Sequence, residues 1–369
     1  MSSCISSSEP HRRFVIGLLV LIFAPINVLF ALGIYLQPLD GDLTRIGYYP
    51  ENNYGWNKPQ LIFPHTRLDF PDHDSPAGHY GSYHDVVVIG DSFSNIRPQS
   101  QWQNYLQTTT GFSIATLNIN LINLPEVLAS QTYKESPPKY LIFESAERYL
   151  PGNLTSNATG CGLSGTHSPN NGNEEINSHI FSKTQYKNHA PGLPKLADRT
   201  KSWAEIKIGF VLKFLFRNIH GDNNNSVHVM ELRRAAPFSS QETRKLLVYD
   251  DDLKKVDSWK KLGTNTMGCL IQKLRQKVES NGYTRFLLMV PPDKLTAYED
   301  FISDQNLRNR SLLSKLSDDH PEIIPRIDLA LVNAIQAGKQ DIYLPDDTHW
   351  GSSGQQIAAE TILSFIQGH

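Results

Sequence analysis

Cysteine is scarce: Cys4, Cys161 and Cys269 are the only three in 369 residues. So few, so widely scattered, do not make a disulfide framework, and no two of them have the spacing of zinc ligands. In an oxidising space Cys161 and Cys269 are able to pair if the fold brings their Cα atoms within about 7 Å. An excess of one charge is also lacking, since 35 Lys and Arg stand against 37 Asp and Glu, a formal net charge of -2. Without a basic surplus the chain has little with which to neutralise a phosphate backbone, and no nucleic-acid partner is expected. There are no internal repeats, so a solenoid is excluded. What is present in quantity is apolar surface, 39 % of residues against 20 % charged. That is enough for a substantial core and too much for a disordered chain.

A long hydrophobic run occurs in one place. After a polar head ending in His11, Arg12 and Arg13, Phe14 to Leu36 is almost uninterrupted apolar sequence without a formal charge. At about 1.5 Å per residue it reaches across a hydrocarbon core of roughly 30 Å. Arginines in front, with Asp40 and Asp42 behind, predict an amino end in the cytoplasm and everything beyond Leu36 outside it. A cleaved secretory signal would have a shorter apolar core and a small-residue cleavage site. No A-x-A pattern follows, so an uncleaved anchor is expected. The chain then divides into a head (1–13), an anchor (14–36) and an exported domain (37–369) with an insertion at about 151–250.

Gly41 to Gln60, rich in aromatics, Gly and Pro, reads as an irregular segment packed on the domain. Asp85 to Ile89, Phe112 to Leu117, Lys139 to Phe143 and Thr284 to Val290 read as short buried strands. Helical patterns cover Glu126 to Lys134, Met267 to Ser280, Asp328 to Ala337 and Gly354 to Gln367. Strands alternating with helices predict an α/β sandwich around a parallel sheet. Pro151 to Asn177, heavy in Asn, Gly, Ser and Thr, reads as a flexible, dispensable insertion. Trp203 to Ile219 reads as an apolar helix carrying Lys207, Lys213 and Arg217. Such a helix either meets a membrane surface or partner, or turns its apolar face to the core.

Two stretches carry chemistry. In VVVIGDSF (Val86 to Phe93) a hydrophobic strand runs into Gly90-Asp91-Ser92, which puts Ser92 at the carboxyl edge of the sheet, where α/β proteins build their sites. Near the other end, LPDDTHWGSSGQQI (Leu344 to Ile357) offers two carboxylates and a histidine just before a helix whose start is marked by Ser352 and Ser353. A serine hydroxyl needs a base, and a histidine needs a carboxylate on its other ring nitrogen. Ser92, His349 and Asp347 or Asp346 supply the three.

Gly90-Asp91-Ser92 after a strand, with an Asp-x-His near the carboxyl end, resembles the SGNH hydrolase superfamily. Asp347-Thr348-His349-Trp350 is similar to the DTHW motif of the alginate O-acetylation proteins, and Val290-Pro291-Pro292-Asp293-Lys294 with Tyr298 is similar to a block preceding that motif. The resemblance covers about residues 40–150 and 280–369. It implies an SGNH-like three-layer sandwich with Ser92 as nucleophile, His349 as base and Asp347 as orienting acid, whereas the common superfamily spacing would select Asp346. One departure stands out: in those proteins the Asp-His motif precedes the serine, and here it follows. The resemblance further implies an O-acetyltransferase acting through an acyl-serine on hydroxyls of a secreted polysaccharide. No metal or other cofactor is expected, and the acetyl donor would be a membrane-bound acyltransferase partner. The place would be the inner membrane, with the catalytic domain in the periplasm. An acetylesterase with the same triad and a silent subunit of a polysaccharide export complex are the alternatives. For the oxyanion or substrate, Asn118, Asn120 and Asn123 after the second strand and Arg148 after the third are candidates. So is Lys294 after the fourth, which either binds an anionic sugar or caps a loop. The Glu144 to Arg148 run reads equally well as a structural ion pair.

Overall fold

The computed structural model describes residues 8–36, 41–63, 81–95, 99–162, 194–197, 208–220, 226–233, 237–308 and 310–368. Eight strands lie among them: β1 (Gln60–Ile62), β2 (Val86–Gly90), β3 (Ile114–Asn118), β4 (Tyr140–Glu144), β5 (Lys195–Ala197), β6 (Val227–Glu231), β7 (Lys245–Tyr249) and β8 (Arg285–Met289). The sheet that positions the site runs β3-β2-β4-β8, parallel throughout. Its strands are the four expected from sequence. They are nearly unbroken runs of Val, Ile, Leu and Phe because helices cover both faces and neither face meets water.

One face carries Val86, Val88, Ile142, Leu287 and Met289 against helices Trp102–Thr110, Ile327–Gln336 and Ser352–Gly368. The other carries Val87, Ile89, Leu141, Phe143 and Leu288 against Thr264–Glu279 and Leu150–Asn157. The result is the three-layer, SGNH-like α/β sandwich that the alternation of elements predicts. The expected helix over Glu126 to Lys134 is two short ones, Leu124–Ala129 and Gln131–Glu135. Ser130 sits between them in an extended conformation, its hydroxyl accepting from Tyr133 N and so starting the second helix.

The reading of Pro151 to Asn177 as a dispensable loop is wrong at its start. Leu150–Asn157 is a helix whose Leu150 and Leu154 are fully buried, and Asn157 Oδ1 accepts the amide of Leu124. Just beyond it Cys161 pairs with Cys269 of the helix Thr264–Glu279, with Cα atoms 6.0 Å apart. The polar composition of the stretch concealed two apolar anchors at helical spacing, Leu150 and Leu154. Residues 163–177 lie outside the described residues, as do residues 203–207 of the expected basic helix. The rest of that helix, Ile208–His220, packs on the amino-terminal apolar helix Ser8–Leu36.

The segment from Gly41 packs on the domain as expected, but it is not irregular throughout, since it forms two short helices, Asp42–Gly47 and Glu51–Tyr54. Gly41 is needed where it stands, since a Cβ there would lie 2.4 Å from the carbonyl oxygen of Asp346.

Candidate active site

The turn after β2 is fixed from within. Gly90 and Asp91 end the strand, and Ser92 opens the helical turn Ser92–Asn95. Asp91 Oδ1 accepts the amide of Phe93 at 3.0 Å and its Oδ2 accepts that of Ala146 at 2.8 Å, tying the turn to the chain beyond β4. The amide of Asp91 in turn donates to Glu144 Oε2 at 2.8 Å. Glu144 is completely buried, and burial, followed by repulsion from Asp91, raises its carboxyl well above the usual range. The neutral form of this carboxyl is thereby favoured under the turn. A side chain at Gly90 would strike it, at 2.5 Å.

The loop bearing His349 is a tight return. Leu344 N donates to His349 O, Asp347 N to Leu344 O and Gly351 N to Ile342 O, and Tyr343 bridges Trp350. At its tip His349 Nδ1 lies 2.6 Å from Asp347 Oδ1, which also accepts the amide of His349. His349 Nε2 lies 2.7 Å from Ser92 Oγ. The imidazole therefore spans the two loops, with a carboxylate on one nitrogen and a hydroxyl on the other. Phe93 packs on the His349 ring at 5.0 Å and on Trp350 at 4.8 Å, which limits how far the ring can swing. Of the two carboxylates left open by the sequence, Asp347 is the one on the imidazole. Asp346 instead offers its backbone carbonyl to the amides of Leu43 and Thr44.

Those last contacts reveal a residue that no local pattern announces. Asp42, the first residue after Gly41, accepts the amide of Thr348 at 2.8 Å and its hydroxyl at 2.6 Å, and its Oδ2 is 3.8 Å from His349 Nδ1. Burial, and then the charge of Asp347, push the Asp42 carboxyl up to about 6. In sequence Asp42 reads only as an acidic flank of the anchor, because its partner is 306 positions away. Asp42, Asp347 and His349 also bring ligand-type atoms within 4.8 Å of one another. A cation there would have to displace the hydrogen bond between Asp347 and His349.

The positively charged candidates do not face a substrate. Lys294 is 1 % exposed, and its ammonium donates to the carbonyls of Leu344, Pro345 and Asp347 at 2.8, 2.9 and 3.0 Å. Its three donors are used, and it props the His349 loop from behind. Burial lowers it to about 8, against the opposing pull of Asp346 and Asp42. Arg148 is likewise buried, 2.6 Å from Asp293 and 3.5 Å from Asp252. Burial works against its charge, but these two carboxylates outweigh it and keep the guanidinium protonated. The Glu144 to Arg148 run is thus the structural ion-pair case, with Lys255 on Glu147 at 2.8 Å beside it. Asn123 caps the helix Leu124–Ala129 with a reciprocal Glu126. Asn120 is exposed. Asn118 ends β3 directly beside Gly90, and its Oδ1 accepts the amide of Asn120 at 2.9 Å.

Against known families, residues 246–369 match the model described as the SGNH hydrolase-like domain of the acetyltransferase AlgX. This part of the chain is similar to an AlgX-type SGNH-like domain. The matched stretch contains Lys294, Asp347 and His349, whereas Ser92 and Asp42 come from outside it. The SGNH-like sheet is accordingly completed by β2, β3 and β4, all of which precede the match. Comparisons with curated proteins and with solved structures gave no match.

Proposed function

We propose that the chain is a membrane-anchored O-acetyltransferase in which Ser92 carries the acetyl group onto hydroxyls of a secreted polysaccharide. The observation that bears most weight is the hydrogen-bonded chain from Asp347 through His349 to Ser92, at 2.6 and 2.7 Å. In the first step Ser92 Oγ attacks the acetyl carbonyl of the donor while His349 Nε2 takes its proton. Asp347 holds the imidazole by Nδ1, and both it and Asp42 offset the imidazolium charge. The Ser92 amide and Asn118 Nδ2 are the donors for the oxyanion. Collapse of the tetrahedral centre expels the donor's leaving group, which takes the proton from His349. A sugar hydroxyl then attacks the acetyl-serine, giving its proton to His349, and Ser92 is restored as the sugar ester departs. Asp347 rather than Asp346 is the orienting acid in this reading.

A membrane location suits the rest of the chain. The helix Ser8–Leu36 is long and apolar enough to cross a bilayer. Its last residue, Leu36, is buried with Phe210 and Val211, and removal of the helix as a signal would uncover those two. The Cys161–Cys269 disulfide fits an oxidising space such as the periplasm, with the anchor in the inner membrane. The donor would be presented by a membrane-bound acyltransferase.

Acetyl transfer from a p-nitrophenyl ester to defined oligosaccharides, with water as the competing acceptor, tests this reading on the full chain in detergent. Sugar ester should form faster than acetate is released. Ser92→Ala should abolish both, by about 10³-fold or more. Release of acetate alone would make the protein an esterase, and unchanged turnover by Ser92→Ala would remove the serine mechanism.

A further inference from the structure

We infer that Ile208–His220 is an interfacial helix, seated in the outer surface of the bilayer beside the anchor and fixing the domain's orientation on the membrane. The inference rests on the anchor reading given above. The helix has three distinct sides. Phe210 and Val211 are buried against Leu36, with Phe214 and Leu215 packed around them and Leu29 and Leu32 of the anchor completing the cluster. Lys213 donates to the hydroxyl of Tyr48 at 2.8 Å, and Arg217 donates to the carbonyls of Gly47 and Tyr48 at 2.8 and 3.0 Å while lying 3.7 Å over the ring of Tyr49. The polar side is therefore turned toward the segment that leads into the active site. On the remaining side stand Ile208, Leu212, Phe216 and Ile219, which are 58, 52, 59 and 74 % exposed.

Those four residues recur at helical spacing, so they form one apolar stripe rather than scattered exposed side chains. The stripe belongs to a helix that packs on Leu29, Leu32 and Leu36 of the anchor, and the anchor is itself exposed nearby, with Ile26, Val28 and Phe30 at 54, 57 and 55 %. A bilayer that covers the anchor's flank reaches the stripe as well. The helix has 13 residues. At 1.5 Å per residue that is about 20 Å, too short to span roughly 30 Å of hydrocarbon and suitable for lying in the interface.

A consequence follows for the site. Leu36 and Asp42 are six peptide steps apart, which limits their distance to about 20 Å even if fully extended. Asp42 in turn holds Thr348, next to His349. Two attachments, the anchor and the interfacial helix, thus keep the His349 loop close to the bilayer surface and prevent the domain from rolling about the anchor's axis.

The test uses the full chain in lipid nanodiscs of phosphatidylethanolamine and phosphatidylglycerol, on a Cys4→Ser background. Nitroxide labels are placed singly at Val20→Cys in the anchor, Leu212→Cys and Ile219→Cys on the stripe, and Lys261→Cys on a distant exposed surface. Collision with oxygen, which concentrates in lipid, is compared with collision with a water-soluble nickel chelate. Labels at 212 and 219 should favour oxygen as the label at 20 does, while the label at 261 favours nickel. If 212 and 219 behave like 261 while 20 stays in lipid, the interfacial inference is overturned and the anchor stands. If 20 itself meets nickel freely, the anchor reading fails first, and this inference with it. Loss of access to both probes at 212 and 219, or spin–spin broadening between copies, would mean that protein covers the stripe and would equally overturn it.

Discussion

The two loops that meet at the hydrogen bond between Ser92 and His349 are held in different ways. The serine turn is held by its surroundings in the sheet: β2 runs straight into it, Gly90 allows the turn, and Asp91 accepts the amide of Phe93 within it and that of Ala146 beyond the adjoining strand. The histidine loop depends on remote groups. Lys294 supports it from behind through three carbonyls, and Asp42 grips Thr348 from the segment that follows the amino-terminal helix. One loop is held by the ends of adjoining strands, the other by a buried ammonium behind it and a carboxylate 306 positions away. Sensitivity to distant substitution should therefore be concentrated on the histidine side.

The largest expected effect separates the paired carboxylates. Asp347→Asn removes the acceptor on His349 Nδ1 and should lower kcat/KM by about 10³-fold or more, whereas Asp346→Asn, which leaves the backbone carbonyl to Leu43 and Thr44, should cost far less. Steady-state ester hydrolysis by the two variants settles which is the orienting acid, and equal losses would remove the distinction. Next comes Lys294→Met, which strands three buried carbonyls. It should lower stability by about 3 kcal/mol or more and reduce activity as well, because the tip of the loop loosens. Thermal unfolding and turnover measured on the same preparation would test this. Loss of stability at unchanged kcat would show that Lys294 supports the fold and not the loop.

Asp42→Asn should be milder. A carboxylate 3.8 Å from the imidazole offers at least about 1 kcal/mol to the imidazolium, so a loss of about tenfold in kcat/KM is expected. It also carries a pH signature. Because the folded Asp42 carboxyl is raised to about 6, it is neutral below that pH and charged above it. The wild-type profile should therefore lose a component as pH falls through about 6, and the profile of Asp42→Asn should lack it. A raised carboxyl favours the fold when protonated. That contribution is complete below the ordinary value of 3.8 and is lost as pH rises to about 6.

On the serine side the smallest change is expected from Glu144→Gln. Burial raises the Glu144 carboxyl and favours its neutral form, so a neutral isostere should change activity little. Relative to the variant, the wild type should lose stability as pH rises from about 4.5 through the folded carboxyl's raised value. A large loss of activity in Glu144→Gln would erase the asymmetry between the two loops.

The same asymmetry governs how much was legible in the sequence. The four sheet strands, the position of Ser92 and the hydrogen bonding of His349 are written in short runs: apolar stretches of five or so residues, a Gly-Asp-Ser turn, an Asp-Thr-His tip. Local pattern could find these because each is decided within a few residues. Asp42 reads only as a topological flank, Lys294 as either a substrate contact or a loop cap, and Arg148 as either a substrate contact or an ion pair, because a charge in a one-dimensional pattern does not reveal whether it is buried. Lys294 is buried among three carbonyls and Arg148 between two carboxylates, and only the packing of distant segments decides that. The Leu150–Asn157 helix was missed for the opposite reason. Its polar composition outweighed the spacing of Leu150 and Leu154.

The central claim, that Ser92 is acylated with His349 as its base, is tested most directly by trapping the intermediate. The full chain is mixed with p-nitrophenyl acetate, quenched in acid within the first turnover, digested and analysed by peptide mass spectrometry. One acetyl group should appear on the peptide containing Ser92, be absent from Ser92→Ala, form far more slowly in His349→Ala, and be lost on adding an acceptor oligosaccharide. An acetyl group found on another residue, or turnover with an unmodified Ser92 throughout, would contradict the account.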